Sequence, residues 1–166
     1  MHRVAYDIHL RGVLKELLPG GFFPKPDDSE LQEFLKWDDW RVLGFLANGQ
    51  GGEHGRRLAG RDHYRKIYAT NEVCTEDELV ELGKVRSELG PMLASEESAN
   101  KSWYKTGKTD IAVISDTRAK KVAPLSEYSS VIANMKSNNQ TLLYVKQEDV
   151  LNAKQAVEKI VGTQND

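Results

Sequence analysis

The hydrophobic period of this chain changes partway along its 166 residues. Up to about residue 92, apolar side chains recur at helical spacing. From about 109 to 161 they fall in short strand-like runs before one last helical stretch. A helical block followed by such runs predicts an α+β fold: an N-terminal helical part, then a small antiparallel sheet with one C-terminal helix packed on it. Between the two blocks, Ala94-Ser95-Glu96-Glu97-Ser98-Ala99-Asn100-Lys101 is small and polar, as linkers and exposed loops are. The chain therefore divides into a helical segment over 1–92, a linker over 93–108 and a small α+β lobe over 109–166.

Local signals place the elements. Val4, Ile8, Leu14 and Leu18 share a helical face that Pro19-Gly20-Gly21 ends. Ser29-Glu30-Leu31-Gln32 predicts a capping box, with Leu31, Phe34 and Leu35 turned inward behind it. Asp38 or Asp39 caps a helix that buries Trp40, Leu43 and Leu46. After a glycine-rich break at 48–52 comes a basic helix with Arg56, Arg57, Leu58 and Arg61. Thr75-Glu76-Asp77-Glu78 is a second capping box, opening a helix that ends at Gly90-Pro91. In the second block, 110–114 and 141–146 read as strands, 122–132 as one or two more interrupted by Pro124, and 148–161 as a helix.

Composition excludes some roles. Net charge is −2 with both signs mixed throughout, so nothing argues for nucleic acid as the main partner. The single Cys74 rules out an internal disulfide framework and favours a reducing compartment. No signal-peptide pattern and no apolar run of membrane-spanning length occurs, so a cytoplasmic protein without a membrane partner is expected.

The residues by themselves mark no catalytic centre. His2 and His9 are seven apart on one helical face. A rise of ~1.5 Å per residue puts them roughly 10 Å apart, too far for one metal ion at ~2.1 Å per ligand. Asp38 and Asp39 are neighbours on a helix and do not face each other, so capping accounts for them. The glycine-rich 48–55 segment follows a helix rather than a strand and lacks a phosphate-loop pattern. Arg61-Asp62-His63-Tyr64-Arg65-Lys66 reads as a solvated helix end that could also touch phosphates. No arrangement marks Cys74 or a serine as a nucleophile.

Four segments in order carry a resemblance. His2-Arg3-Val4-Ala5-Tyr6 resembles the His-Arg-x-Ala-Tyr segment of the HD-domain deoxynucleoside triphosphate triphosphohydrolases. Residues 33–43, with Phe34-Leu35 and Asp38-Asp39, look like that family's Phe-Leu…Asp-Asp stretch. Residues 58–66 look like its Leu…Arg…Lys stretch. Residues 110–125 and 142–156 resemble its C-terminal α+β lobe. The resemblance spans almost the whole chain.

What the resemblance implies is specific. In that family a metal held by an HD motif activates the water that splits a dNTP into deoxynucleoside and triphosphate. Carried over, Tyr6 packs against the deoxyribose and base and Asp7 stands at a base-reading position. Arg3, with His2 beside it, lies on the substrate-contacting helix within reach of phosphate. Relatives place a histidine two residues after the tyrosine; here Ile8 holds that place and His9 follows it. Met1 falls where the family has an internal apolar residue. The four histidines are followed by Arg3, Leu10, Gly55 and Tyr64, so the chain contains no His-Asp dipeptide. The implied role is the C-terminal part of an HD-type phosphohydrolase: substrate contacts and oligomer surface, no catalytic or metal-ligating residue, no activity alone. The divalent metal belongs to an upstream half on the same or a separate polypeptide. The implied partners are that half, a deoxynucleotide and further copies of the chain. The alternative is a standalone nucleotide-binding or regulatory interaction module without catalysis.

Overall fold

The computed structural model describes residues 3–99, 110–116, 121–135 and 138–162. The chain is α+β, built around a three-stranded antiparallel sheet of order β1-β5-β2. Helix α1 (Arg3–Leu17) is followed by the short α2 (Leu31–Leu35), then α3 (Asp39–Ala47) and α4 (Gly52–Ala59). Strand β1 (Arg65–Ala69) leads to α5 (Glu76–Leu89) and β2 (Leu93–Ser98). A two-stranded ribbon of β3 (Ala112–Asp116) and β4 (Lys121–Pro124) precedes two single-turn helices, α6 (Leu125–Tyr128) and α7 (Ser130–Ala133). Strand β5 (Thr141–Val145) and helix α8 (Val150–Val161) complete it.

Strand β5 organises the molecule because both its faces are covered. Side chains alternate across a strand. Leu143 and Val145 point to one side, into a core formed with Leu82, Val85 and Leu89 of α5 and Ala153 and Ala156 of α8. Leu142 and Tyr144 point to the other, where they meet Ala5 and Ile8 of α1 and the buried Tyr64. The result is α5 and α8 on one face of the sheet and α1 on the other. A strand covered on both faces is apolar throughout, and Leu142-Leu143-Tyr144-Val145 is the run that predicts it. Among the described residues no helix is long and apolar enough to cross a membrane.

Both strands flanking β5 lie where strands are not expected from the sequence. β1 falls inside the block read as helical, and β2 occupies the start of the segment read as a linker; residues 100–108 of that segment lie outside the described residues. Arg65-Lys66 and Ser95-Glu96-Glu97-Ser98 carry little strand propensity. Edge strands are held by pairing to a neighbour and keep charge on the open side. β2 is tied down by its charges: Arg86 of α5 donates two bonds to Glu96, at 2.8 and 2.7 Å, and Arg11 of α1 pairs with Glu97.

The caps divide. Thr75 and Glu78 form the predicted reciprocal box at α5, and Asp38 accepts the Arg41 backbone N–H at 2.8 Å at α3. The Ser29–Gln32 box does not form. The Ser29 hydroxyl donates instead to Asp27 at 2.6 Å, a local bond that competes with capping, and α2 starts after Glu30 without a side-chain cap. Past β4 the chain turns into α6 and α7, so of the one or two strands expected within 122–132 the described residues hold β4. Trp40, expected inside, is 80% exposed, and Leu43 and Leu35 are exposed too. α3 approaches α4 through Leu46, beside Gly55, which leaves Trp40 turned outward. The aromatic cluster forms around Trp37, with Phe23 at 6.3 Å, Phe45 at 5.9 Å and the Arg41 guanidinium 4.3 Å above its ring.

Candidate functional site

The site is built where α1 lies against α4. The helices approach closely because Gly12 of α1 has no side chain: a Cβ there would stand 2.3 Å from Cδ2 of His54. The glycine-rich turn before α4 serves the same contact. Gly52 has φ of +56, and a Cβ on it would meet the Glu16 carboxylate at 2.3 Å. The positive end of α4 thus faces a carboxylate from α1, in the place where an anionic ligand would otherwise sit.

Inside this contact is a group of imidazoles. His9 is completely buried. Its Nδ1 lies 2.9 Å from Nδ1 of His54, and its Nε2 accepts the Tyr64 backbone N–H at 3.2 Å. An accepting Nε2 carries no proton, so the bonding pattern assigns the neutral Nδ1–H tautomer, with His54 Nδ1 as acceptor. Burial lowers the pKa of His9 to about 4, with His54, Arg57 and His63 adding to the effect and Asp62 opposing it. The Tyr64 ring meets His9 edge-on at 4.3 Å.

Beside them, Arg57 is buried and bound by three carboxylates: Glu53 at 3.0 Å, Asp62 at 2.6 Å and Glu148 at 3.5 Å. Burial works against its charge, and these partners more than offset that penalty. The network joins α4 to the turn before α8. His63 is buried as well, with Nδ1 3.3 Å from the Arg61 carbonyl and Nε2 against the Arg65 guanidinium.

Tyr6 and Asp7 lie at the outer edge of this cluster. The Tyr6 ring packs on the His63 ring, centroids 4.7 Å apart and tilted 33°. Both residues line an open groove of about 740 Å³ between α1 and α3. Its walls are mostly apolar, from Leu10 and Leu14 on α1, Val42 and Leu46 on α3 and Leu58 on α4; Asp38, Asp39 and Arg61 supply polar edges. Trp37 lines it too, and its buried Nε1 has no hydrogen-bond partner among the described residues.

The sequence-derived site residues separate here. Tyr6 and Asp7 share the groove. Arg3 does not reach it: its side chain is 85% exposed and stands 3.8 Å from Asp7. His2 lies outside the described residues. His9, read as one of two histidines on a common polar face, faces the interior instead. His9, His54, His63 and Arg57 form a cluster that sequence reasoning missed. Forty-five residues separate His9 from His54, and no local pattern links them. The apolar residues read on one face of α1 divide between the core and the groove. Val4 and Ile8 pack against Tyr64 and Tyr144, while Asp7, Leu10 and Leu14 line the groove.

Among the described residues, no group of three or more His, Cys, Asp or Glu side chains is placed to hold a metal ion. The His9–His54 pair does not fit that role, since both ring nitrogens of the buried His9 are committed to protein partners.

No family model and no curated protein matches the chain at a significant level. A solved structure similar to it is the crystal structure of a hypothetical protein from Aquifex aeolicus at 2.0 Å resolution. The two are 21% identical with a TM-score of 0.71, over 93% of this chain and 38% of that one. At this identity the likeness is one of fold. The chain spans well under half the length of that neighbour.

Proposed function

We propose that this chain is the back part of an HD-type nucleotide phosphohydrolase, which turns a deoxynucleoside triphosphate into deoxynucleoside and triphosphate. On this reading it supplies substrate contacts and oligomer surface in the cytoplasm and is inactive alone. The metal-bearing half lies upstream, on the same or a separate polypeptide. On this reading the divalent metal is held by that half; here both ring nitrogens of His9 are taken, one by His54 and one by the Tyr64 N–H.

The observation that carries the reading is the pair Tyr6 and Asp7 at the lip of one groove, with Tyr6 backed by a buried imidazole. A ring held on its rear face keeps its front face available for a sugar or base. Asp7 beside it accepts hydrogen bonds from an exocyclic amine. Arg3 stands over Asp7 and balances its charge. The apolar groove walls suit a nucleoside better than a triphosphate, which leaves the phosphates to the other half. The recurrence of the fold within a much longer chain supports a part of a larger protein.

The test is dNTP hydrolysis with Mn²⁺, by this chain alone and by this chain joined to an upstream segment bearing a His-Asp motif. Triphosphate release by the joined form only, falling at least tenfold in Tyr6→Ala, is the expected result. Hydrolysis by the short chain overturns the division of labour. An inactive joined form favours the second reading, a standalone nucleotide-binding or regulatory interaction module. That reading draws on the apolar groove with exposed Trp40 and Leu43 beside it, a surface suited to a protein partner.

A further inference from the structure

We propose that His9 is a proton-operated latch that seats α1 on α4 and on the residues leading into β1. Independently of any catalysis, the geometry limits the protons this contact can hold. The Tyr64 N–H points at His9 Nε2 at 3.2 Å, so Nε2 is bare. The one proton of the neutral ring is then on Nδ1, directed at His54 Nδ1 2.9 Å away, which must also be bare. The contact therefore accommodates one proton on His9 and none on the facing nitrogen of His54.

A second proton has no place in this arrangement. Added to His9 it goes on Nε2 and sets two N–H groups against each other at Tyr64. That breaks a bond that joins α1 to the rest of the protein, in a site where His9 is shut off from solvent.

The surroundings do not rescue a charged His9. From α4 it faces His54 and the Arg57 cation; Glu53, on the same helix, is bound to Arg57 at 3.0 Å. From the segment entering β1 it faces Asp62, His63 and Tyr64. Asp62 is the group that favours a charge there, and its carboxylate is already bound to Arg57 at 2.6 Å. Tyr144 of β5 shares the cluster with Tyr64. The folded chain thus excludes a proton that the unfolded chain takes up below about pH 6.5, the ordinary histidine value. The latch is closed above that pH and opens as pH falls toward 4. Tyr6 lies three residues along α1 from His9 and rests on His63, so release also frees the Tyr6 edge of the groove.

The test is NMR of the ¹⁵N-labelled chain between pH 7.5 and 4.5. At pH 7.5 the imidazole spectra should show His9 as the Nδ1–H tautomer. On acidification the Tyr64 and α1 amides should lose at least tenfold more exchange protection than those of α5 and α8. In His9→Gln, the amide oxygen still accepts from Tyr64 and the side chain cannot titrate, so this selective loss should vanish. The Nε2–H tautomer at neutral pH overturns the proposal. So does protection lost equally in α1 and α5, or a selective loss that persists in His9→Gln. If that variant does not fold, the tautomer and the pH response of the unmodified protein decide by themselves.

Discussion

Replacing Arg61 by glycine should make this protein more stable. Helix α4 ends in a double-bonded reversal: the Asp62 N–H returns to the Arg57 carbonyl at 2.9 Å and the Arg61 N–H to the Leu58 carbonyl at 3.3 Å. Such a reversal needs a left-handed residue at its corner, and Arg61, with φ of +55, is the one non-glycine described residue in that conformation. The left-handed region costs an L side chain roughly 1–2 kcal/mol. Glycine removes that strain and gives back roughly 0.5–1 kcal/mol through its freer unfolded chain. The net expectation is a gain of about 0.5–1 kcal/mol, or roughly 1–4 °C in Tm for a chain of this size. The His63 bond to the Arg61 carbonyl is to backbone and survives. Urea unfolding followed by Trp fluorescence measures the change, with Arg61→Ala as control. Alanine keeps its Cβ and the strain, so it should not stabilise. If Arg61→Gly is destabilised by more than about 0.5 kcal/mol, the side chain contributes more at the groove rim than the backbone loses, and the strain argument fails.

Two glycines should respond to substitution with opposite signs. Gly12→Ala drives a methyl into the His54 ring and should cost about 1–3 kcal/mol in urea unfolding, despite alanine's better helix propensity. Gly83→Ala, inside α5 with nothing within 4 Å of the new carbon, should stabilise by up to about 1 kcal/mol; equal effects at the two sites would sink the packing argument. Thr75→Ala removes the hydroxyl half of the α5 capping box and should cost about 1 kcal/mol in chemical denaturation, with the loss of helix seen by circular dichroism confined to the transition.

How much was legible in the sequence follows from the range of the signals. Elements announced by their own residues were readable: α1 by its apolar period and Pro19, α5 by Thr75 and Glu78, β5 by its continuous apolar run, α8 by Val150, Ala153, Val157 and Ile160. The α+β class follows from these alone. Tyr6 and Asp7 stand out only through a resemblance; that both line one groove is visible in the fold alone. Trp40 was misjudged because amphipathic spacing shows which face a helix can bury, not whether a neighbour is present to cover it.

The class of fold, the capped starts of α3 and α5 and the central strand follow from local sequence, because those depend on residues within a turn or two of each other. The remainder is set by tertiary contacts. β1 and β2 are strands because β5 offers both of them backbone partners, which their charged and small residues do not advertise. The imidazole cluster exists because two glycine-lined surfaces let α1 and α4 approach until His9 and His54 touch. Contacts across 45 residues of chain leave no periodic trace, so only the folded geometry shows that a histidine seven residues from another belongs to the interior.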